Sequence, residues 1–506
     1  MESSNICSRF SRPTWWLFWL LLTIFALVNT PPIRATFGIS PQSQYGFGNE
    51  MARQSVSPPL YLPLVANGEP WANPLSAETW GERLNNPTFR ERVRELEMRW
   101  IRLYGLWWVD VQPEEDGAYH WDNSRTEEFE NALIAAQTLG LEPSVIIQHS
   151  PRWATIYPTS CAAIRTDKLD DFAQFITAVV ERYKEPPFNV HSWELFNEPD
   201  VDPGLVGVDS GFGCWGEIGD PYYGGERFGE MLNVVAPAIR AADPQAQIIF
   251  GGLLLNTPIT TDPDLGHPER FLEGVLLSGA AQSFDILAYH AHNTFYSANA
   301  NYGGVGYSGA WDDWGGMTKG KPAFLRSVMA QYGVDKPLWM NEGALRCPTH
   351  RPYCTGDISV FLNTQSKYLL REIARTMSTG VERFSWYTLH YNGWDQSGLL
   401  DTGGEKRPAF KAFEALVQQI QSAAPTPQEI FEYGPNLEAY RFDKPHDPDV
   451  DLIFSPEGTG YYASVPVDKF VAAYTIWGEP MPTNPPTGGY YNFWVTYSPL
   501  YIHRLP

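Results

Sequence analysis

Apolar and polar positions follow two different periods along this chain, and segments of the two kinds succeed one another in turn. Short runs rich in β-branched and aromatic residues have the pattern of buried strands, and longer stretches with apolar residues three and four positions apart have the pattern of amphipathic helices. The runs that predict strands are QYGFG (44–48), WIRLYG (100–105), PSVIIQH (143–149), SWELFN (192–197), QIIFGG (247–252), FDILAYH (284–290), PLWMN (337–341) and RFSWYTL (383–389). The clearest helical patterns are FRERVRELEM (89–98), FAQFITAVVERY (172–183), FLNTQSKYLLREIARTM (361–377) and AFKAFEALVQQI (409–420). Eight strands that alternate with helices predict a (β/α)8 TIM barrel over residues 44–422.

Two stretches inside this region and the last part of the chain depart from the alternation. Residues 52–86 are rich in Pro and Trp, and residues 199–225 are rich in Gly and Asp, so both are predicted to be long loops at one face of the barrel. After the linker-like segment AAPTP (423–427), six short strand-like runs predict a small β-sandwich-like domain over residues 425–506.

Residues 1–29 have the pattern of an export signal. Arg9 and Arg12 precede the apolar run WWLFWLLLTIFALV (15–28), which a polar stretch follows. The run is shorter than the roughly 20 residues of a spanning helix, and no clear small-residue cleavage site follows it. A cleaved signal peptide and a membrane anchor through residues 15–28 therefore both stay open, with residues 30–43 as a linker. In either case the chain is expected to be exported, as a secreted protein or one held at the outer face of the cell membrane.

Four cysteines lie beyond this segment, and an even number in an exported protein predicts disulfides. Cys347 and Cys354 are close in sequence and are expected to pair across one loop. Cys161 and Cys214 would then join the loops that follow two adjacent strands. A zinc site is the weaker alternative, because the cysteine spacing fits no zinc motif.

Composition narrows the choice of partner. The 506 residues carry a formal net charge of −22, which repels phosphate backbones and argues against a nucleic-acid partner. Aromatic residues make up 14% of the chain, with 19 Trp and 26 Tyr. Such rings stack on sugars and also fill cores, so this excess is compatible with a carbohydrate site without establishing one.

The segment WELFNEPD (193–200) carries the most specific chemical signal. Its apolar strand delivers Asn197 and Glu198 to the carboxyl end, where a barrel presents its active site. A second acid, Glu342, ends the later run PLWMNEG (337–343). Two carboxyl groups at the tips of two strands are what hydrolysis of a glycosidic bond requires.

The Asn-Glu-Pro tripeptide in this position resembles the signature of the clan A glycoside hydrolases, retaining TIM-barrel glycosidases that include families 5 and 39. The resemblance implies that Glu198, after the fourth strand, is the general acid/base and that Glu342, after the seventh, is the nucleophile. It also implies that Asn197 binds the sugar 2-hydroxyl and that Arg102, in the second strand, holds the nucleophile ionised. An ion pair between Arg102 and Glu194 is the structural alternative. Asn197 and Glu198 reach one site only if the strand bulges or ends there, because neighbouring side chains of a strand point to opposite faces.

Further residues are assigned to the substrate pocket by the same resemblance. His290 resembles the substrate-side histidine of the sixth strand, and His292 takes the position at which the family often has a tyrosine that donates to the nucleophile. Trp386 resembles the ring under the reactive sugar, and Trp153 and His149 are expected to form walls.

The sequence thus predicts a β-glycosidase that needs no cofactor or metal and acts on poly- or oligosaccharides. Two alternatives stay open: a non-catalytic carbohydrate-binding barrel, and a metal-dependent hydrolase that uses His290 and His292 as ligands.

Overall fold

The computed structural model describes residues 72–207, 210–390 and 394–506, apart from the side chain of Glu82. The predicted signal or anchor (1–29), the linker (30–43) and the predicted first strand (44–48) lie outside the described residues. Residues Trp71–Pro506 form one compact unit. No helix among the described residues is long and apolar enough to cross a membrane.

Eight parallel strands form the first sheet, and helices cover it, so the predicted TIM barrel is confirmed. The strands are β1 (Leu75–Ala77), β2 (Trp100–Trp107), β3 (Glu142–Gln148), β4 (Ser192–Leu195), β5 (Gln247–Leu253), β6 (Ile286–Thr294), β7 (Leu338–Arg346) and β8 (Arg383–Trp386). Each of β2 to β7 pairs with the next strand of the chain, and β8 pairs with β1. The remaining gap is narrow, because Ser76 Oγ donates a hydrogen bond of 2.8 Å to the carbonyl of Trp100 at the start of β2.

The first of these strands corrects the sequence prediction. Residues 52–86 were predicted to be a loop, yet Leu75–Ala77 pair with Phe384–Trp386 of β8. A strand of three residues, all buried, shows no alternation of polar and apolar positions, so its pattern could not reveal it. The second predicted loop, 199–225, has only the short 3-10 turn Pro203–Leu205 in its described part.

The helices around the barrel include one for each of the four periodic patterns predicted from the sequence. They are α1 (Gly81–Leu84), α2 (Pro87–Glu95), α3 (Trp108–Val111), α4 (Ser124–Leu139), α5 (Leu169–Tyr183), α6 (Gly225–Ala242), α7 (Phe271–Leu277), α8 (Met317–Gln331), α9 (Ser359–Ser378) and α10 (Pro408–Ile420). Helix α4 shows how local sequence sets the bounds: Asn123 caps its first turn by accepting from the Thr126 N–H, and Gly140, at φ 69°, ends it in the left-handed conformation.

The C-terminal part of the chain forms two antiparallel sheets. Strands β9 (Gln428–Ile430), β10 (Glu438–Phe442), β11 (Asp449–Phe454), β13 (Phe470–Thr475) and β15 (Leu500–Arg504) make one sheet, and β12 (Tyr461–Pro466) and β14 (Tyr490–Val495) form a two-stranded ribbon. All six predicted runs contain a strand, and β9 is an additional one. The five-stranded sheet contacts the barrel through a buried ion pair, in which Arg375 donates to both oxygens of Glu438 at 2.9 and 2.6 Å.

Both expected disulfides are present. Cys347 and Cys354 are bonded within the segment after β7. Cys161 and Cys214 join the segments after β3 and β4, which are neighbouring strands of the barrel. The second disulfide therefore fastens the two loops that flank the Asn197–Glu198 dipeptide.

Candidate active site

Four strands of the barrel bring the predicted residues together. Glu342 lies in β7 and pairs in register with His290 of β6, while Arg102 comes from β2. Strand β4 ends at Leu195, and Phe196 and Glu198 then take φ angles of 62° and 48°. Because these left-handed residues turn the chain out of the extended conformation, Asn197 and Glu198 both reach the same site.

The guanidinium of Arg102 is the centre of the site and is fully buried. It donates to both carboxylate oxygens of Glu194, each at 2.8 Å, and to Oδ1 of Asn197 at 2.8 Å. Its Nη1 also donates to Glu78 at 2.7 Å and makes a short hydrogen bond to Oε1 of Glu342. Arg102 therefore forms an ion pair with Glu194 and also contacts Glu342. The structure contains both of the contacts that the sequence offered as alternatives.

Glu342 is surrounded by donors. Besides Arg102, the hydroxyl of Tyr104 donates to its Oε1 at 2.9 Å, and His292 Nε2 lies 3.3 Å from its Oε2. Burial opposes the charge on Glu342, but His290, Arg102 and His292 outweigh burial and hold its pKa well below the ordinary value. Glu342 is therefore ionised at neutral pH.

Tyr104 was missed in the sequence. It stands two positions after Arg102 in β2 and so points to the same side of the sheet. The two-residue spacing from Arg102 was the sequence signal that could have identified Tyr104 as a site residue. His292, where the resemblance predicts a tyrosine, faces Glu342 from β6, and a hydroxyl that donates to Glu342 comes from Tyr104 in β2.

Glu198 has the opposite surroundings. Its Oε1 lies 2.7 Å from Nδ1 of His290, whose other nitrogen is 3.6 Å from Glu342 Oε1. Burial and the negative charge of Glu342 raise the pKa of Glu198 to about 8, and burial lowers the pKa of His290 to about 4. At neutral pH both groups are therefore uncharged, and the Glu198 hydroxyl donates to Nδ1 of a histidine protonated on Nε2.

Glu78 is a fourth acid of the cluster and was also missed in the sequence. It follows β1 directly, has no solvent exposure, and accepts from Arg102 through Oε2 while its Oε1 has no hydrogen-bond partner among the described residues. Burial and the charge of Glu342 raise its pKa well above the ordinary value. Glu78 is thus an acid whose charge is opposed by burial, and it lies within the stretch that the sequence predicts to be a loop.

Three predicted pocket residues pack against other parts of the protein. Trp386 is fully buried and donates from Nε1 to the carbonyl of Ser397 at 2.9 Å, so neither face of its ring is open to a sugar. Trp153 packs edge-on against Trp108, and His149 lies against Trp107 at 4.1 Å between ring centroids. The expectation for Trp386 therefore needs correction, because its ring is used in the core.

Other rings border the site instead. The centroids of Trp394 and Tyr387 lie 5.0 and 6.0 Å from that of His292, and both side chains are partly exposed. Together with Tyr104, they are partly exposed aromatic rings beside the two side chains, His292 and Glu342, that face each other. Both Trp394 and Tyr387 follow β8, whereas the resemblance predicts the sugar platform at Trp386, on that strand.

The donor set also includes one arrangement that suits a metal ion. Single ligand atoms of Glu198, His290 and His292 lie within 4.8 Å of one another. Two imidazoles and a carboxylate are a ligand set that zinc accepts in hydrolases. Here, however, His290 Nδ1 already faces Glu198, and His292 Nε2 faces Glu342, so these nitrogens are engaged within the protein.

Comparison with protein families and known proteins gives results that agree with this geometry. The model described as Cellulase (glycosyl hydrolase family 5) matches residues 64–321, which include Arg102, Glu198, His290 and His292 but end before Glu342. A comparison with curated protein sequences found no match.

Solved structures share the fold at low sequence identity. A family 39 glycoside hydrolase from Bacteroides cellulosilyticus WH2 is 17% identical with a TM-score of 0.62, over 85% of this chain and 81% of that one. A conserved exported protein from Bacteroides fragilis is 14% identical with a TM-score of 0.58, over 86% and 97%. The catalytic domain of GH30 xylanase C from Talaromyces cellulolyticus is 10% identical with a TM-score of 0.56, over 86% and 97%.

The different surroundings of two buried acids predict unequal effects of two matched substitutions. Burial opposes the charge of Glu78, and Glu78→Gln keeps the shape of the side chain without a charge, so we expect the free energy of unfolding to change by less than about 1 kcal/mol. Glu194→Gln removes a carboxylate that accepts two hydrogen bonds from buried Arg102, and we expect a loss of about 3–5 kcal/mol. Denaturant unfolding of the two variants measures the difference. Equal losses would show that Glu78 is ionised in the folded protein.

Proposed function

The chain belongs to glycosyl hydrolase family 5, the Cellulase family, and we propose that it hydrolyses β-glycosidic bonds by double displacement. In this proposal Glu342 is the nucleophile and Glu198 is the general acid/base. One observation carries the assignment: two buried glutamates have opposite surroundings, since Arg102 and Tyr104 donate to Glu342 while Glu198 faces His290. Glu342 is held ionised by Arg102, and Glu198 keeps its proton to a pKa of about 8. An ionised acid can attack, and a neutral acid can protonate a leaving group.

In the first step, the Glu342 carboxylate attacks the anomeric carbon while Glu198 gives its proton to the departing glycosidic oxygen. The bond from the sugar to the aglycone breaks as the bond to Glu342 forms. Tyr104 and Arg102 both donate to Oε1 of Glu342, which leaves Oε2, on the His292 side, as the oxygen that attacks. The donors on Oε1 also stabilise the negative charge when the carboxylate leaves the sugar again.

In the second step, Glu198 is ionised and takes a proton from the water that attacks the glycosyl-enzyme. The ester with Glu342 breaks, the sugar is released with its original anomeric configuration, and both glutamates return to their starting states. His290 supports both roles of Glu198, because its Nδ1 accepts from the protonated acid and, after tautomerisation, donates to the carboxylate.

Asn197 is proposed to bind the sugar 2-hydroxyl. Its Oδ1 accepts from Arg102, and its Nδ2 donates to the carbonyl of Gly211 at 3.3 Å, so the amide orientation is set from both ends. Nδ2 retains a second hydrogen that can donate to a hydroxyl group. Trp153 and His149 stay proposals as more distant walls of the cleft.

The proposed substrate is a neutral β-linked polysaccharide or its fragments. Structural relatives are described as a xylanase and as an endo-β-1,6-glucanase, which indicates the substrate class but not one sugar. The intact set of Glu198, Glu342 and Arg102 favours an enzyme over a non-catalytic sugar-binding barrel.

We further propose that the protein is exported through residues 1–29, either cleaved or retained as an anchor. The two disulfides support an oxidising compartment, and the relative from Bacteroides fragilis is described as an exported protein. N-terminal sequencing of the protein from culture medium and from membranes distinguishes a cleaved chain from an anchored one.

Azide rescue tests the two roles by the configuration of the product. In Glu342→Ala, azide enters from the vacated nucleophile side, so an aryl β-glycoside should yield an α-glycosyl azide. In Glu198→Ala the glycosyl-enzyme still forms from an activated substrate, and azide should yield the β-glycosyl azide. We expect Glu198→Ala to lose about 10²–10⁴-fold in rate on substrates with poor leaving groups.

The wild type with and without a chelator is the control for the metal alternative, in which Glu198, His290 and His292 hold an ion. Unchanged activity after chelation is expected from the two-glutamate mechanism. Loss of activity that zinc restores, or the same azide anomer from both variants, would contradict the assignment.

The pH profile gives a second test. Because Glu198 must be protonated to assist the leaving group, kcat/KM for an unactivated substrate should be constant at neutral pH and fall above about pH 8. Glu198→Ala should lack this alkaline limb when an activated aryl glycoside is used. An alkaline limb that persists unchanged in Glu198→Ala would assign it to another group.

A further inference from the structure

The ribbon of β12 and β14 has one buried side and one exposed side. Ala463, Val465, Phe493 and Val495 point inward and belong to the core of the small β-domain. The outward side, here called the ribbon face, consists of Tyr462, Ser464, Pro466, Tyr490, Asn492 and Trp494. None of the six side chains is charged, in a protein with a net charge of −22.

Aromatic rings lie at both ends of the ribbon face. Tyr462 and Trp494 are directly opposite in register, with ring centroids 4.8 Å apart, and are 65% and 55% exposed. At the other end Tyr490 is 45% exposed. Exposed aromatic residues are found elsewhere on the surface, but this cross-strand pair with a third ring on the same face is a continuous surface of about 13 Å along the strand.

The Trp494 indole is held in place by a glycine. A Cβ atom at Gly460 would collide with the six-membered ring of the indole, so the ring occupies the space that the missing side chain leaves. One side of the indole is therefore against the backbone, and the rest is open to solvent. A ring fixed in this way loses little entropy when a flat apolar ligand stacks on it.

Polar groups lie between the rings. Ser464 and Asn492 are opposite in register, and Ser464 Oγ donates to Asn492 Oδ1 at 2.6 Å. A hydroxyl and an amide between aromatic surfaces match a sugar chain, whose C–H faces stack on rings and whose hydroxyl groups accept and donate hydrogen bonds.

Other occupants fit less well. A ribbon of six outward residues offers far less area than the roughly 800 Å² per partner of a stable protein interface. Its centre is polar, whereas such interfaces are most apolar at the centre. An anionic ligand would find no cation on the ribbon face and an acidic protein around it.

We propose that the ribbon face is a second carbohydrate-binding surface, outside the barrel, for a neutral β-linked polysaccharide. The identity of this ligand rests on the proposed function of the barrel. The surface retains the polymer on the protein while the barrel cleaves, so it affects polymeric substrates and not small aryl glycosides.

Affinity electrophoresis in native gels containing soluble xylan or mixed-linkage β-glucan tests the proposal. Trp494→Ala, Tyr462→Ala and Tyr490→Ala are compared in the Glu342→Ala background, in which the gel polymer is not hydrolysed. Phe431→Ala is the matched control, since Phe431 is 79% exposed in the same domain but lies outside the ribbon face. We expect retardation by at least one polymer, about tenfold weaker for Trp494→Ala and unchanged for Phe431→Ala.

The same substitutions with Glu342 intact separate this proposal from the proposed function. Trp494→Ala should raise KM for the polymer and leave kcat/KM for an aryl glycoside at the wild-type value. If no aryl glycoside is hydrolysed but the polymers retard the protein as expected, the proposed enzymatic function is refuted and the proposed binding surface is not. The binding-surface proposal would be overturned if neither polymer retards the protein, or if Trp494→Ala and the parent are retarded equally. It would also be overturned if sedimentation shows a dimer that Trp494→Ala dissociates while retardation stays the same.

Discussion

The burial of one guanidinium inside the barrel is the constraint on which the site depends. A buried cation is stable only when its hydrogen bonds and charge are satisfied by partners. Arg102 meets this condition with Glu78, Glu194, Glu342 and Asn197, which come from or follow three different strands. The same bonds that stabilise Arg102 therefore fix the nucleophile and the amide beside it, and stability and active-site geometry share one set of contacts.

One positive charge cannot balance every acid in this cluster. Glu78, Glu194, Glu198 and Glu342 are all buried. Mutual repulsion is relieved when some of them keep their protons, and the ones that do so are those with the poorest access to donors. Glu342, with Tyr104, His292 and Arg102 around it, stays ionised, whereas Glu198 and Glu78 have raised pKa values. Two residues of the same type thus acquire opposite chemical roles from their surroundings.

Long periodic elements and the Asn-Glu-Pro segment could be predicted from the sequence, and the rest required three dimensions. The predicted strands at 100–105 and 192–197 placed Arg102 and Glu198 correctly, because buried strands and strand-end acids have recognisable local patterns. Strand β1 has three residues and no periodicity, so Glu78 behind it was hidden in an apparent loop. Tyr104 has the right parity, but nothing local shows that its hydroxyl crosses the barrel to Glu342. Trp386 lies within the expected strand 383–389, yet burial of its ring depends on packing against Tyr368 of helix α9.

The central claim is that Glu342 forms a covalent bond to the sugar, and trapping of that intermediate tests it most directly. A 2-deoxy-2-fluoro β-glycoside with an activated leaving group slows both steps, so the glycosyl-enzyme accumulates when the leaving group is good enough. Mass spectrometry of the intact protein and of its peptides should show one added fluorosugar per chain, on the peptide that contains Glu342. A label on Glu198, or hydrolysis of the parent glycoside by an enzyme that accumulates no adduct and yields the inverted anomer, would contradict the account.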